Sequence, residues 1–240
     1  MKKQKISTVL PTYNEGRNIT PLIQRLLKAA HNNYETEIIV VDDDSPDKTW
    51  SIAEDLGYPE VKVIRRTRER GLASAIGAGI DAATGDIITW MDCDLSMPPE
   101  LVPRMVRAIN DGYDVSIGSR YVKGAKDIRR PIRRITSRVF NLYANIILTF
   151  KVRDLDCGFI ATKKEVLQKI PFTRKGYGQY CIEFLYKSVK SKYRVKELPY
   201  TFSDREEGDS KTEEKWYSLL KHGWYYGLTV LRVRFFQSFK

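Results

Sequence analysis

Short runs of aliphatic and β-branched residues recur through the first half of the chain, each too short to be a helix. They fall at residues 6–10, 37–41 (EIIVV), 61–64, 86–91 (DIITWM) and 114–118. Helical patterns lie between them. The first passes through Ile23, Leu26 and Leu27, and others cover residues 47–56, 72–83 and 98–110. Continuous apolar runs, rather than alternating ones, mark strands covered on both faces. Strand and helix in regular alternation predict parallel βαβ units in a doubly wound α/β sheet. Residues 160–161 are a candidate return to the sheet, and 194–199 a further strand. No repeat, low-complexity segment or linker divides the 240 residues, so one domain is expected.

In such sheets ligands bind beyond the carboxyl ends of the strands. Three polar motifs fall there: PTYNE after the first strand, VDDDS after the second and DCD after the fourth. Asp92 and Asp94 can share one divalent cation, and hard oxygen ligands suit magnesium or manganese. The other reading is a solvated acidic turn. Asp42 can accept hydrogen bonds from a base or ribose, or the run can simply cap the next helix through Asp44 or Ser45. PTYNE offers a rigid Pro11, a stacking ring at Tyr13 and a carboxylate at Glu15, or an ordinary loop and helix cap around Asn14. Gly77-x-Gly79-x-x-Ala82 matches a dinucleotide fingerprint formally. It lies inside a helical stretch and not behind a strand, so it is set aside.

Charge supplies the third signal. The net charge is +11. Arg120, Lys123, Lys126, Arg129, Arg130, Arg133, Arg134 and Arg138 oppose only Asp127, on a basic loop leading to an apolar helix at 139–150. Arginine forks suit bidentate phosphate binding. A nucleic-acid surface is disfavoured, because no aromatic residues interleave with these arginines and because DCD and VDDDS would be left without a role. Cys93, Cys157 and Cys181 are far apart, which argues against a disulfide framework and fits a reducing compartment. MKKQKISTVL has no long apolar stretch behind it, so no secretory signal is expected. The apolar stretches at 142–150 and 223–233 are shorter than the roughly 20 residues needed to span a bilayer.

PTYNE, VVDDDSPDKT, GLASAI…G…ATGD, DCDLSMPPE, GSRYVKG, DLDCGF and DREEGDSK occur in that order. In that order they resemble the family-two inverting glycosyltransferases of the GT-A fold, within them most nearly the dolichol-phosphate mannose synthase group. The likeness covers roughly residues 5–212. It implies a catalytic domain over 1–212 and a tail over 213–240. It implies transfer of a sugar, mannose first, from a nucleotide-sugar such as GDP-mannose to a dolichyl or polyprenyl phosphate. A UDP-glucose donor or a non-lipid acceptor is the alternative. Pro11, Tyr13, Glu15, Asp42, Asp92, Cys93 and Asp94 are then donor residues, with Arg205 and Lys211 contacting donor phosphate. Magnesium or manganese is held by Asp92, Asp94 and Ser96, the last standing where glutamine is usual. Arg120, Arg133 or Arg134, and Ser137 are the acceptor-phosphate residues. Asp94, Arg120, Arg133 and Ser137 form the catalytic set. Asp154 and Asp156 match acidic positions near the sugar.

A lipid acceptor without a spanning helix points to peripheral attachment at the cytoplasmic face of a membrane, with a small membrane subunit as a candidate partner. The tail places Trp216, Leu219, Leu220, Trp224, Leu228, Leu231 and Phe235 at helical spacing, among Lys221, Arg232 and Arg234. That composition suits a helix lying in the membrane interface, and equally a terminal helix packed on the core.

Overall fold

A computed structural model describes residues 3–30, 34–176, 178–203 and 216–235, with backbone only at 216–224. The expected alternation is present. It runs β1 (Lys5–Thr12), α1 (Ile19–Ala30), β2 (Glu35–Asp42), α2 (Thr49–Asp55), β3 (Val61–Arg65), α3 (Leu72–Ala82) and β4 (Ile87–Trp90). A short 3-10 turn at Pro99–Leu101 leads into α4 (Val102–Asn110), and β5 (Val115–Ser119) follows.

The second half adds β6 (Lys126–Asp127), α5 (Pro131–Ile147), β7 (Ile160–Lys163), α6 (Lys164–Lys169), α7 (Gln179–Lys190), β8 (Val195–Pro199), β9 (Thr201–Phe202) and α8 (Trp216–Phe235). The main sheet has seven strands in the order β3-β2-β1-β4-β7-β5-β8. All neighbours are parallel except β7, which runs antiparallel between β4 and β5. The class is therefore the mixed, mostly parallel α/β sheet that the sequence predicts. From β1 the chain winds outward to β2 and β3, then returns to the other side of β1 as β4. The switch point thus lies between the carboxyl ends of β1 and β4, where a crevice must open.

β1 keeps Pro11 inside the strand and ends at Thr12, two residues further than the sequence suggests. Val9 accepts from the Met91 amide on the β4 side, and Thr12 accepts from the Asp43 amide on the β2 side. Pro11, two on from Val9, aims its nitrogen at the β4 edge, where pairing has already ended at Val9–Trp90. Its missing N–H costs no ladder bond.

Gly79 has a packing role. A Cβ there would lie 2.2 Å from Val9 Cγ1. The bare helix face lets α3 sit close on β1 and β2, which disposes of the dinucleotide-fingerprint match as helix–sheet packing.

The basic segment is not a loop to residue 138. Pro131 starts α5, so Arg133, Arg134 and Arg138 are on the helix itself. Proline at the first position has φ already set and no amide to satisfy. The flanking loop is stitched by β6 pairing with β9.

α5 is inverted relative to an ordinary surface helix. Its buried residues are Asn141, Ala144 and Asn145. Ile132, Ile135, Val139, Leu142 and Ile146 form its outer stripe, each more than half exposed. On α8, Val230 and Val233 are buried while Leu228, Leu231 and Phe235 point outward. Of the stripe expected in the tail, the side chains of Trp216, Leu219, Leu220, Lys221 and Trp224 lie outside the described residues. Among the described residues no helix is long and apolar enough to cross a membrane.

Candidate active site

The crevice at the switch point holds a cavity of about 340 Å³. Pro11, Tyr13 and Glu15 line one side, and Asp92, Cys93 and Asp94 another. These are the two strand-end motifs on either side of the switch point, brought together as predicted. The third wall comes from Asp43 and from Arg70 and Gly71 after β3.

The loops after β1 and β2 are tied into one unit, and Asp42 is the knot. Its carboxylate accepts from the Thr12 hydroxyl at 2.8 Å, the Ser45 amide at 2.8 Å and the Ser45 hydroxyl at 2.6 Å. The Asn14 amide bonds back to Ser45 Oγ, and the Glu15 amide to Thr49 Oγ1. Asp42 is fully buried and does not line the cavity; its neighbour Asp43 does. Neither Asp44 nor Ser45 caps the next helix, the other reading of this run: α2 begins at Thr49 after Lys48, and the Thr49 amide donates to Asp47 Oδ1. The carboxylate expected to meet a nucleoside instead ties the loops after β1 and β2 together.

Asp43 anchors the third wall. It accepts from the Gly71 amide at 2.7 Å and forms a buried ion pair with Arg66. Arg66 also reaches Ser74 Oγ and the Gly71 carbonyl. The arrangement holds Arg70 at the cavity rim, its guanidinium 5.4 Å from the Tyr13 ring centroid. Sequence reasoning missed Asp43 and Arg70 as lining residues. The available signal was the polar run TRERG directly after the third strand, the one strand end of the first four left without a motif.

All three turns after β1, β2 and β4 contain a non-glycine residue in the left-handed region: Asn14 (φ 56°), Asp44 (φ 56°) and Leu95 (φ 61°). Asn and Asp tolerate this conformation; Leu does so at a cost of roughly 1–2 kcal/mol. The turn at Leu95 folds Ser96 back onto Asp94. The Ser96 amide and hydroxyl donate to Asp94 Oδ1 at 3.1 and 2.5 Å. Ser96 is buried outside the cavity wall, with its hydroxyl turned to Asp94.

Among the described residues no group of three or more His, Cys, Asp or Glu stands ready for a metal. Asp92 and Asp94 remain as two carboxylates on one cavity. Two hard oxygen donors beside open space would suit magnesium or manganese.

Arg120 follows β5, at the same edge of the sheet. It is buried, and its Nε and Nη2 donate to Asp154 at 2.8 and 2.6 Å, with its amide adding a third bond at 2.9 Å. Asp156 stands 3.8 Å from the same guanidinium. Burial pushes the Asp156 carboxyl up to about 6, against the attraction of Arg120. The Tyr200 phenol is pushed well above its usual range, chiefly by burial, with Arg120, Asp154 and Asp92 all contributing to its field. The cavity carboxylates and the Arg120 cluster therefore share one neighbourhood.

Ser137 pairs with the Tyr121 hydroxyl at 2.9 Å, linking α5 to the residue after Arg120. Arg133 is half-buried on the same helix; Arg134 is exposed, with its Nη1 3.3 Å from the Asp127 carbonyl. Arg129 forms a bidentate pair with Asp127. The basic cluster is thus less uniform than its sequence. Arg120 and Arg129 have carboxylate partners, while Lys123, Arg134 and Arg138 face solvent. Arg205 and Lys211 lie outside the described residues.

A mostly parallel sheet with a switch-point cavity, paired carboxylates after β4 and arginines at the same edge is the GT-A arrangement of glycosyltransferases. The family model for glycosyl transferase family 2 matches residues 7–171. A dolichol-phosphate mannosyltransferase of Pyrococcus furiosus is 44% identical over 88% of this chain and 60% of its own length. A polyprenol monophosphomannose synthase of Mycolicibacterium smegmatis is 35% identical over 87% of this chain and 81% of that protein. The crystal structure of glucosyl-3-phosphoglycerate synthase from Mycobacterium tuberculosis, with Mn2+, UDP and glucosyl-3-phosphoglycerate, superposes with a TM-score of 0.72 at 20% identity, covering 98% of this chain and 81% of that one. That likeness bears on the fold. The chain belongs to glycosyl transferase family 2 and is a glycosyltransferase.

Proposed function

We propose that the protein transfers a mannosyl group from GDP-mannose to a polyprenyl phosphate, with inversion at the anomeric carbon. The observation that carries this reading is the joining of two anion sites at one sheet edge. One is the cavity with Asp92 and Asp94; the other is the arginine-bearing Arg120–Ser137 corner. The names of the relatives at 34–44% identity support the choice of mannose and lipid phosphate.

An acceptor phosphate is already ionised near neutral pH and needs little base catalysis. Its oxygen forms a bond to the anomeric carbon while the bond to the diphosphate breaks, and the electron pair leaves with the nucleoside diphosphate. Attack from the opposite face turns an α-mannosyl donor into a β product. The difficulty is bringing two anions together, which Arg133, Ser137 and the Nη1 of Arg120 address by electrostatic positioning. Tyr13 and Arg70 clamp the nucleoside end; Glu15, Asp43 and the Asp42-tied loop shape its bed. Asp92 and Asp94 would hold a divalent ion, which would supply charge neutralisation for the leaving diphosphate.

The outer stripe of α5 supports a lipid-facing placement. Burying one large aliphatic side chain is worth about 1.5–3 kcal/mol, so a helix adapted to water alone would turn this face inward. Arg133 and Ser137 are on the same helix, so a membrane-lying α5 would bring the acceptor corner to the membrane surface.

The test is a radiolabelled transfer assay crossing GDP-mannose, UDP-glucose and UDP-N-acetylglucosamine with a polyprenyl phosphate. Mannolipid formed only from GDP-mannose is expected. No transfer from any donor with magnesium or manganese would sink the reading.

A further inference from the structure

A second cavity, of about 390 Å³, opens at the opposite edge of the sheet. Its wall is built from Tyr113, which precedes β5, and from Lys192, Tyr193 and Arg194, which precede β8. Lys151 beyond α5 and the side chains of Val189 and Val195 complete it. These are the amino ends of β5 and β8, far from the carboxyl-end cavity of Asp92 and Asp94.

The charge here is one-sided. Among the described residues, no carboxylate pairs within 4 Å with Lys151, Lys192 or Arg194. Asp114, next to Tyr113, accepts from Lys163 Nζ and the Arg194 amide, both at 2.8 Å, and also feels the Arg194 guanidinium, so it offsets part of this charge. The Arg194 guanidinium and the Lys196 ammonium lie 4.6 and 5.3 Å from the Tyr113 ring centroid, so the ring gathers cations at the rim.

Lys192 is also costly where it stands. Its φ is +65°, and the Lys192 and Tyr193 amides close the end of α7 onto the Val189 and Ser188 carbonyls. Glycine is the usual residue at that left-handed closing position. Here a lysine occupies it and adds its charge to the cavity.

α5 connects this cavity to the catalytic one. Its first half meets Tyr121 through Ser137, and near its end Asn145 donates to the Arg153 carbonyl. Its apolar outer stripe continues to the exposed Phe150, and the next residue is Lys151. A helix lying along a membrane would bring both of its ends to the headgroup layer.

We propose that this second cavity binds a phosphate group carried by a membrane lipid, so that the α5 stripe is flanked by a catalytic phosphate site at one end and an anchoring one at the other. Three cations suit the phosphate. Val189, Val195 and the tyrosine rings suit the glycerol and first methylenes behind it. The lipid source of the phosphate rests on the membrane reading above; the phosphate chemistry of the cavity does not.

The experiment uses the full chain and co-sedimentation with phosphatidylcholine vesicles, with and without phosphatidylglycerol. Phosphatidylglycerol should strengthen binding about tenfold or more, given roughly 1 kcal/mol per basic residue near an anionic surface. The K151A/K192A/R194A variant should lose most of that gain, the rest coming from Lys123, Arg134 and Arg138, while keeping its binding to neutral vesicles and its melting temperature. The charge-retaining K192R/R194K variant should keep the gain. An undiminished phosphatidylglycerol response in the triple alanine variant overturns the proposal. A calorimetric titration with soluble glycerol phosphate separates the sources. Binding by the wild type and not by the triple variant, without any vesicle response, keeps the phosphate site and defeats the membrane placement.

Discussion

Arg120 and Asp154 face each other through two side-chain hydrogen bonds of 2.8 and 2.6 Å, with both residues buried and the Arg120 amide adding a third. The pair joins the end of β5 to the DLDCGF loop. That loop is held in turn by Glu197, which accepts from the Arg153 and Asp154 amides, and by Asn141 of α5, which accepts from the Leu155 amide. The end of β5, the DLDCGF loop and α5 are therefore fixed to one another by these contacts.

Removing Asp154 leaves a buried guanidinium with its main partner gone. Asp154→Ala should cost about 3–5 kcal/mol of stability, read from urea unfolding. An Arg120→Met/Asp154→Leu double variant should recover much of that stability and still lack transfer activity. A double variant no more stable than the single one would show that the pair is not the source of the loss.

The carboxylates after β4 separate from their supporter. Asp92→Asn and Asp94→Asn should each abolish detectable transfer and Mn2+ binding, followed by electron paramagnetic resonance. Ser96→Ala removes only the donor to Asp94 and should weaken metal affinity about tenfold, at the low end for a supporting contact. Equal losses in all three would place Ser96 among the ligands.

Asp42 and Arg70 should divide between stability and donor affinity. Asp42→Ala strips three hydrogen bonds from a buried knot and should destabilise by about 1–3 kcal/mol. Arg70→Ala, at an exposed rim, should leave the melting temperature unchanged and raise KM for the donor several-fold. Calorimetric donor titration with the two variants tests the split.

Asp156 gives a pH signature. Burial raises its folded pKa to about 6 from the ordinary 3.8. Between these values the folded state holds the extra proton, so this group makes stability fall as pH rises from about 4 to 6. Asp156→Asn should flatten that part of the profile in a series of unfolding curves. An unchanged slope would assign the titration elsewhere.

The apolar stripe of α5 should carry vesicle binding. Val139→Glu/Leu142→Glu places charges at positions already exposed and should reduce flotation with neutral vesicles without lowering the melting temperature. Deletion of 215–240 tests the tail separately: flotation equal to that of the intact chain removes the tail as an anchor.

Much of this molecule was legible in one dimension because its signals are periodic. Runs such as EIIVV declare a strand covered on both sides, and PTYNE and DCD fall at strand ends by counting along the chain. Arg133 and Arg134 were less legible. Whether they sit on a loop or a helix depends on Pro131 starting α5, and their individual partners depend on which carboxylates fold against them.

The sequence by itself determined the α/β sheet, the single domain and the location of the motifs at strand ends, since hydrophobic period and turn chemistry act locally. Only the tertiary structure decided which neighbouring carboxylate does what. Asp42 turns inward to Thr12 and Ser45 while Asp43 reaches the cavity, because adjacent residues at the end of a strand point to opposite sides. It also decided that α5 buries asparagines and exposes isoleucines. A helical period reveals that a helix has two faces, and only its packing against the rest of the chain shows which face is inside.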